Sequence, residues 1–399
     1  MKGSYGYPLS LVLFSKMEFT FMVILFWVLL VCSLYSYFLY PLVLHVLSKA
    51  VAQPALVTDS NAPHFYSLIV TVYNEKHRIR QKLENLLALE FNAEQYELII
   101  ASDSSDDGTD EIVKEYADKG VTLVRATERL GKENAQLTAI KAAKGSVLVF
   151  SDVATIMEPN ALTKLDAHFQ NADIGAVSSE DRFVSKSGEV AGEGAYVKYE
   201  MWLRNKESKL AGLVGLSGSF FAARAEICTD WDIHSPSDFN TALNCARAGK
   251  QSISAPDVLG FYEDLKDPSK EYARKVRTVL RGITGLSRHL DVLNPFKFGL
   301  FSLQVFSHKL MRWGVPWFLM ALLVVTSLVV HLGWVYQLAL IGQVLFYVTA
   351  LLAHLSPKLQ SIGPIKLVYF FVQVNIALME SMLKFATGTR MTTWKPSAR

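Results

Sequence analysis

The 399-residue sequence is short of cysteine, short of net charge and, towards its two ends, short of any charge at all. Three cysteines, Cys32, Cys228 and Cys245, cannot build a disulfide framework, and their spacing is not that of a zinc site. Forty basic residues against 37 acidic ones leave a net charge of +3. That is too balanced for a protein that coats nucleic acid, so no nucleic-acid partner is expected. Glycine and proline are not in excess, and 51% of the residues are hydrophobic, which excludes a collagenous or disordered chain.

The missing charge is local. Between Glu18 and Lys49 the ionisable side chains are His45, Cys32 and a few tyrosines, and the run from Phe19 to Leu47 exceeds the about 20 apolar residues of a spanning helix. It is too long for the apolar core of a signal peptide and has no small-residue cleavage site. From Trp313 to Pro357 there is again no Asp, Glu, Lys or Arg, room for two spans turned at Leu332-Gly333-Trp334. Leu367–Met379 is shorter and admits two readings, a span helped by its flanks or an interfacial helix. Between Asn294 and Arg312, aromatic and aliphatic residues alternate with Lys297, His308 and Lys309, which suits an amphipathic approach to the bilayer. The expected order is an N-terminal anchor (1–50), a polar domain (51–291), an amphipathic interfacial segment (292–312) and a C-terminal region of two or three spans (313–399). Mean hydropathy of +0.22 averages these unlike parts. Lys49 and Arg312 favour a cytoplasmic face for the middle domain; Arg390, Lys395 and Arg399 ask the same of the tail, which leaves its topology open.

In the middle, short β-branched runs alternate with helical spacing. Strands are expected at Tyr66–Val72, Tyr96–Ala101, Val121–Val124 and Ser146–Phe150, with helices over Lys76–Leu89, Asp110–Ala117 and Glu133–Ala143. That order predicts an α/β domain, a mostly parallel sheet with right-handed crossovers, whose ligands bind beyond the carboxyl ends of the strands. Those ends carry Asn74 and Glu75, Asp103, and Asp152. Singly, Asp103 and its neighbours read as a turn, Lys132 as a solvated lysine and Asp152 as a cap. Together on one sheet edge they offer acceptors for a base and ribose, a lysine and N–H groups for phosphate, and a carboxylate for a metal.

TVYNE (71–75), SDSSDDGTDEI (102–112), GKENAQLTAI (131–140), VFSD with EPNAL (149–152, 158–162), GLSGSFFAAR (215–224), PSDFNTALNCARAGK (236–250) and YARKVRTVLRG (272–282) together resemble the inverting family 2 glycosyltransferases. The resemblance covers nearly all of the middle domain and implies a GT-A (Rossmann-like) fold flanked by transmembrane helices. It places Tyr73, Asn74 and Glu75 along the nucleotide site, Asp103 at the base, and Lys132 near the nucleotide. Asp152 matches the metal motif, Ser217 and Gly218 the loop under sugar and acceptor, Asp238 the general base, and Arg274, Lys275 and Arg277 the segment near the diphosphate. It implies Mg2+ or Mn2+, although Ala154 stands where a second motif aspartate would be and cannot ligate a cation. The Gln-x-x-Arg-Trp motif of processive synthases is absent; Thr278-Val-Leu-Arg281-Gly282 stands there.

The expected function is that of a multi-pass membrane glycosyltransferase, catalytic domain in the cytoplasm, at the bacterial inner membrane. It moves a sugar from a nucleotide-sugar donor, a UDP-sugar by the resemblance, to a lipid-linked or glycan acceptor in surface polysaccharide or glycolipid synthesis, with membrane lipids as further partners. The rivals are a processive synthase and a catalytically silent nucleotide-sugar-binding subunit. Asp238 alone could equally be a helix cap. Arg281 and Arg288, on one helical face with Arg274 and Arg277, are assigned to lipid head groups. Glu200, Arg204 and Glu207 read as a surface ion-pair ladder, and Glu263-Asp264 as an exposed loop.

Overall fold

A computed structural model describes residues 9–50, 63–184, 195–263 and 268–391. They divide into two compact units, one within Met1–Pro41 and Ser307–Leu383, the other within Leu42–Phe306 and Lys384–Arg399. Asp264, Lys395 and Arg399, and the start of the expected middle domain at 51, lie outside the described residues.

The first unit is helical. Helix α1 (Leu9–Leu34) runs through a π-helical turn at Tyr35–Leu39 towards α2 (Tyr40–Ala50), whose later residues belong to the second unit. Phe26 packs edge-on against Tyr336 and shares a buried cluster with Leu322 and Val325. By length and composition, four described helices could cross a membrane: Phe19–Ala50, Leu300–Leu332, Trp334–Leu355 and Gly363–Ala386. Leu367–Met379 thus lies inside a 24-residue helix. Residues 300–312, expected to form part of an interfacial segment, belong to the same apolar helix as 313–332. The chain breaks between the second and third of these helices at Gly333.

The second unit is built on one sheet of eight strands: β1 (Tyr66–Val72), β2 (Tyr96–Ser102), β3 (Val121–Arg125), β4 (Val147–Asp152), β5 (Ile156–Met157), β6 (Ile174–Val184), β7 (Phe220–Arg224) and β8 (Gln251–Glu263). Their order is β3-β2-β1-β4-β7-β6-β8-β5. The helices are α3 (Ile79–Leu87), α4 (Thr109–Lys114), α5 (Lys132–Ala142), α6 (Ala161–Phe169), α7 (Ala195–Leu210), α8 (Ser237–Arg247) and α9 (Pro268–Arg288). All seven residues of β1 are buried. Leu68 and Val70 enter one core with α3, α4 and α6, while Ile69 enters another with α5 and α8. This double burial is why β1 reads as a continuous apolar run.

The strands β3, β2, β1 and β4 are parallel, as the alternating pattern predicts. The other half is mixed: β7 is antiparallel to β4 and to β6, β8 is parallel to β6, and β5 is antiparallel to β8. Register shows what this does. Val72 pairs with Ser102, Thr71 with Asp152, Ser151 with Phe220, and Ser178 with Phe221. The loops after β1, β2 and β4, the loop entering β7 and the ends of β6 and β8 therefore gather at one edge.

Helix α3 clamps the β4–β5 connection at this edge. Lys82 is fully buried, and its Nζ donates to Ser151 Oγ at 2.8 Å and to the Thr155 carbonyl at 2.5 Å. One turn on, the Asn85 amide donates to the Met157 carbonyl at 2.8 Å and accepts from its N–H at 2.9 Å. Burial pulls Lys82 down to about 7 from its ordinary 10.5, against the opposing pull of the Asp152 charge. The unfolded chain holds this proton between those two values and the folded chain does not, so native stability rises with pH across that window, by at most about 1.4 kcal/mol per pH unit. Denaturation from pH 7 to 10 is expected to show wild type gaining stability relative to Lys82→Met as pH rises. A difference that does not change with pH contradicts the assignment.

Candidate active site

Much of the acidic loop after β2 is occupied in building itself. Ser102 Oγ donates to Asp110 Oδ1 at 2.6 Å, and Arg125 pairs with the other oxygen of that carboxylate. Asp107 accepts from the Lys76 N–H at 3.1 Å and from the Thr109 hydroxyl at 2.5 Å. Asn74 exchanges two hydrogen bonds with Asp106, at 2.7 and 3.0 Å. Asn74 itself sits at φ 52°, in the left-handed region that asparagine tolerates better than most residues. These bonds fix the loop after β1 against the loop after β2.

A cavity of about 300 Å3 opens at the gathered edge. Of the sequence-predicted site residues, Glu75, Lys132, Asp152, Gly218, Asp238, Arg274 and Arg277 line it. Lys132, 8% exposed, donates from Nζ to Asp152 Oδ1 at 2.6 Å and to the Gly218 carbonyl at 2.8 Å. A Cβ added at Gly218 would sit 3.4 Å from Asp238 Oδ2. Gly218 thus lies between the lysine and the aspartate, and its missing side chain keeps the cavity floor open. Asp238 is not the cap of α8: Pro236 occupies that place, and Asp238 stands in the first turn, its main-chain carbonyl accepting from the Leu216 N–H at 3.2 Å.

The remaining predicted residues do not line this cavity. Asp103 is fully buried; its Oδ1 accepts from the Gly131 N–H at 3.1 Å, tying β2 to the turn before Lys132. Burial raises its carboxyl above the usual range, opposed by that N–H and the Arg129 charge. Tyr73 lies under the Arg129 guanidinium, 3.7 Å from the ring centre. Lys275 lies 5.9 Å from the centre of the Tyr196 ring. Ser217 donates to Asp181 Oδ2 at 2.8 Å.

Other residues enter the cavity that sequence reasoning did not place there: Arg78, Glu133, Asp181, Ser219, Tyr262 and Arg281. Arg281 corrects the lipid assignment, because it pairs with Glu133, 2% exposed, inside the cavity. Its signal was available, since it lies seven residues after Arg274 and four after Arg277 on the same helical face. Arg288 pairs with Asp232 at 2.6 Å. The surface ladder is corrected too: Glu207 is fully buried, and Arg204 donates to Ser178 Oγ at 2.8 Å. Trp231 stacks on Phe150, and its Nε1 donates to the Glu133 carbonyl at 3.0 Å, bracing the start of α5.

The acidic side chains set what metal the site could hold. Asp152 offers one carboxylate, already engaged by Lys132, and Ala154 is packed against the core. Among the described residues no three His, Cys, Asp or Glu side chains are grouped as a metal site. This donor set fits a Mg2+-like ion that takes its other ligands from phosphate and water, and no ion caged by protein alone.

The family model of glycosyl transferase family 2 matches residues 67–229. A poly-beta-1,6-N-acetyl-D-glucosamine synthase of Staphylococcus aureus is 29% identical over 174 residues, and its Staphylococcus epidermidis counterpart is 28% identical; each match covers 42% of this chain. The chain spans 42% of the length of these curated relatives. Among solved structures, a mannosyltransferase from Pyrobaculum calidifontis in complex with GDP-Man and Mn2+ has the same fold. Its TM-score is 0.69 at 20% identity, covering 91% of this chain and 98% of that one. The matched segment runs from β1 through the β7 edge of the cavity, so this part of the chain is similar to glycosyl transferase family 2, on a GT-A-like fold with apolar helices before and after it.

Proposed function

We propose that the chain is a membrane-bound inverting glycosyltransferase, taking a sugar from a nucleoside diphosphate donor to a lipid-linked or glycan acceptor. The observation that carries this reading is the placement of Asp238 and Lys132 on either side of Gly218 in one cavity, with Arg274, Arg277 and Arg281 on its wall. The acceptor hydroxyl gives its proton to Asp238 as its oxygen attacks the anomeric carbon. The bond from that carbon to the phosphate oxygen breaks, and the electron pair leaves with the nucleoside diphosphate. Lys132 and the arginines meet the growing negative charge with cations already in place. One displacement with one base inverts the anomeric centre. Asp152 would hold a Mg2+ or Mn2+ ion together with the diphosphate, and the ion's contribution would be to stabilise the leaving group.

Tyr73, Asn74, Glu75 and Asp103 belong to the nucleotide side in this reading, Asp103 by holding the Gly131 turn. Lys275 stands on the same helix as the cavity arginines and serves the diphosphate end with them. Ser217 and Gly218 form the floor under the sugar. The donor is a UDP-sugar, and UDP-GlcNAc is the first to test, because the relatives are named for an N-acetylglucosamine polymer. Their name also supports a second reading, a synthase that extends a polymer, distinguished by product length. The domain faces the cytoplasm of the bacterial plasma membrane in either case, where nucleotide sugars are made and where Lys49 and Arg312 would follow the positive-inside tendency.

Asp238→Asn is expected to lower turnover by about 10²- to 10⁴-fold while nucleotide binding is kept, measured as donor-dependent release of nucleoside diphosphate. Turnover equal to wild type removes Asp238 as base. Lys132→Ala is expected to weaken nucleoside diphosphate binding at least about tenfold at low salt, by calorimetry. Unchanged affinity contradicts its role at the phosphates, and a wild type that binds nucleotide but never turns over points to a silent subunit.

A further inference from the structure

Beside the Lys132–Asp238 line, the cavity wall contains a carboxylate to which the displacement assigns no role. Asp181 comes from the end of β6, which register brings to the same edge as the end of β4 and the start of β7. It lines the cavity next to Gly218 and Ser219, with Ser217 behind it, 7% exposed. Ser217 Oγ donates to Asp181 Oδ2 at 2.8 Å, Ser219 Oγ donates to Oδ1, and the two hydroxyl oxygens are 2.8 Å apart. With Asp181 ionised, two hydroxyl hydrogens serve these three contacts, so one of the close oxygen pairs lacks a hydrogen of its own; burial raises this carboxyl above the usual range, opposed by the two serine hydroxyls and the Arg204 charge. Each carboxylate oxygen also has a second lone pair. The group is therefore rich in acceptors and poor in donors, and what it fits is a ligand that brings hydroxyl or amide hydrogens.

Where such a ligand would lie follows from the displacement. The anomeric carbon must stand between Asp238 and the leaving diphosphate at Lys132, which places the sugar ring over Gly218–Ser219. Asp181 and Ser219 are the polar groups beside that position on the β6–β7 side. Arg274, Arg277 and Arg281 also line the cavity, and their donors suit phosphate oxygens. Buried acceptors that read a hydroxyl discriminate strongly, because a sugar without it leaves them unpaired.

We propose that Asp181, oriented by Ser217 and Ser219, is the specificity-determining residue of the donor-sugar subsite, accepting hydrogen bonds from hydroxyl or acetamido hydrogens of the transferred sugar. The proposal rests on the nucleotide-sugar reading of the cavity. Its role is separable from that of the phosphate cations, because free nucleoside diphosphate has no sugar to read.

The test is calorimetry on the full-length protein in detergent with four probes, UDP, UDP-GlcNAc, GDP and GDP-Man, for wild type and Asp181→Asn. For the pair that binds, the ratio of the nucleotide-sugar Kd to the free nucleotide Kd is expected to rise about tenfold in the variant. The affinity for the free nucleoside diphosphate is expected to stay within about twofold. Ser219→Ala, a smaller change, is expected to move the same ratio in the same direction by about threefold and serves if Asp181→Asn does not fold. A ratio that stays constant overturns the proposal, as does an equal loss of both ligands. A wild type that binds none of the four probes removes the nucleotide-sugar reading itself, and the subsite with it.

Discussion

One ammonium group joins the two halves of the sheet at the place where they change direction. Lys132 Nζ bonds both to Asp152, at the end of the last parallel strand, and to the carbonyl of Gly218, in the loop that enters the first antiparallel one. The lysine can do this because α5 starts at Gly131, whose φ of 109° turns the chain sharply off the preceding loop. Asp103 accepts from the Gly131 N–H, and the Trp231 indole donates to the Glu133 carbonyl, so the lysine's own helix is held from two sides. With those supports in place, the cation has one location, and the floor glycine and Asp238 are placed relative to it.

The cavity is close to neutral as it stands. Lys132 pairs with Asp152, Arg281 with Glu133, and Arg78 with Glu75. Such pairing keeps several cations within a small, partly buried space without their mutual repulsion opening it. In the proposed reaction a diphosphate entering there would meet donors whose positions are already set, the arrangement that stabilises a developing charge without reorganisation at the moment of reaction. The sheet supplies the geometry: an edge at which parallel and antiparallel strands both deliver loops lets Asp238, Gly218 and the cations come from distant stretches of sequence.

The parallel half of the fold was legible because β1, β2 and β4 are buried on both faces and their helices carry one apolar stripe each. The mixed half was less so, since its order depends on β7 running back between β4 and β6, a long-range pairing with no local signature. Asp152, at a strand end, and Lys132, at a helix start, stood out by position. Asp181 did not, because it lies within a strand-like run and acquires its place only when register brings β6 beside β7. Glu207 read as a surface charge in helical sequence, and nothing local singled out Lys82. Their burial depends on which helix face the sheet covers, and a single charged residue does not reveal that. Arg281 was read as a lipid contact because its neighbours precede an apolar run, whereas Glu133, 148 residues away in sequence, is what it meets.

If one carboxylate at Asp238 takes the acceptor's proton while the diphosphate departs in the same step, the product's anomeric configuration must be opposite to the donor's. Proton NMR of the sugar transferred from an α-linked UDP-sugar, followed from the first turnovers, tests this most directly. A β-linked product is the expected result. An α-linked product would require two displacements or a different geometry, and would contradict the assignment of Asp238, Gly218 and Lys132 to a single in-line transfer.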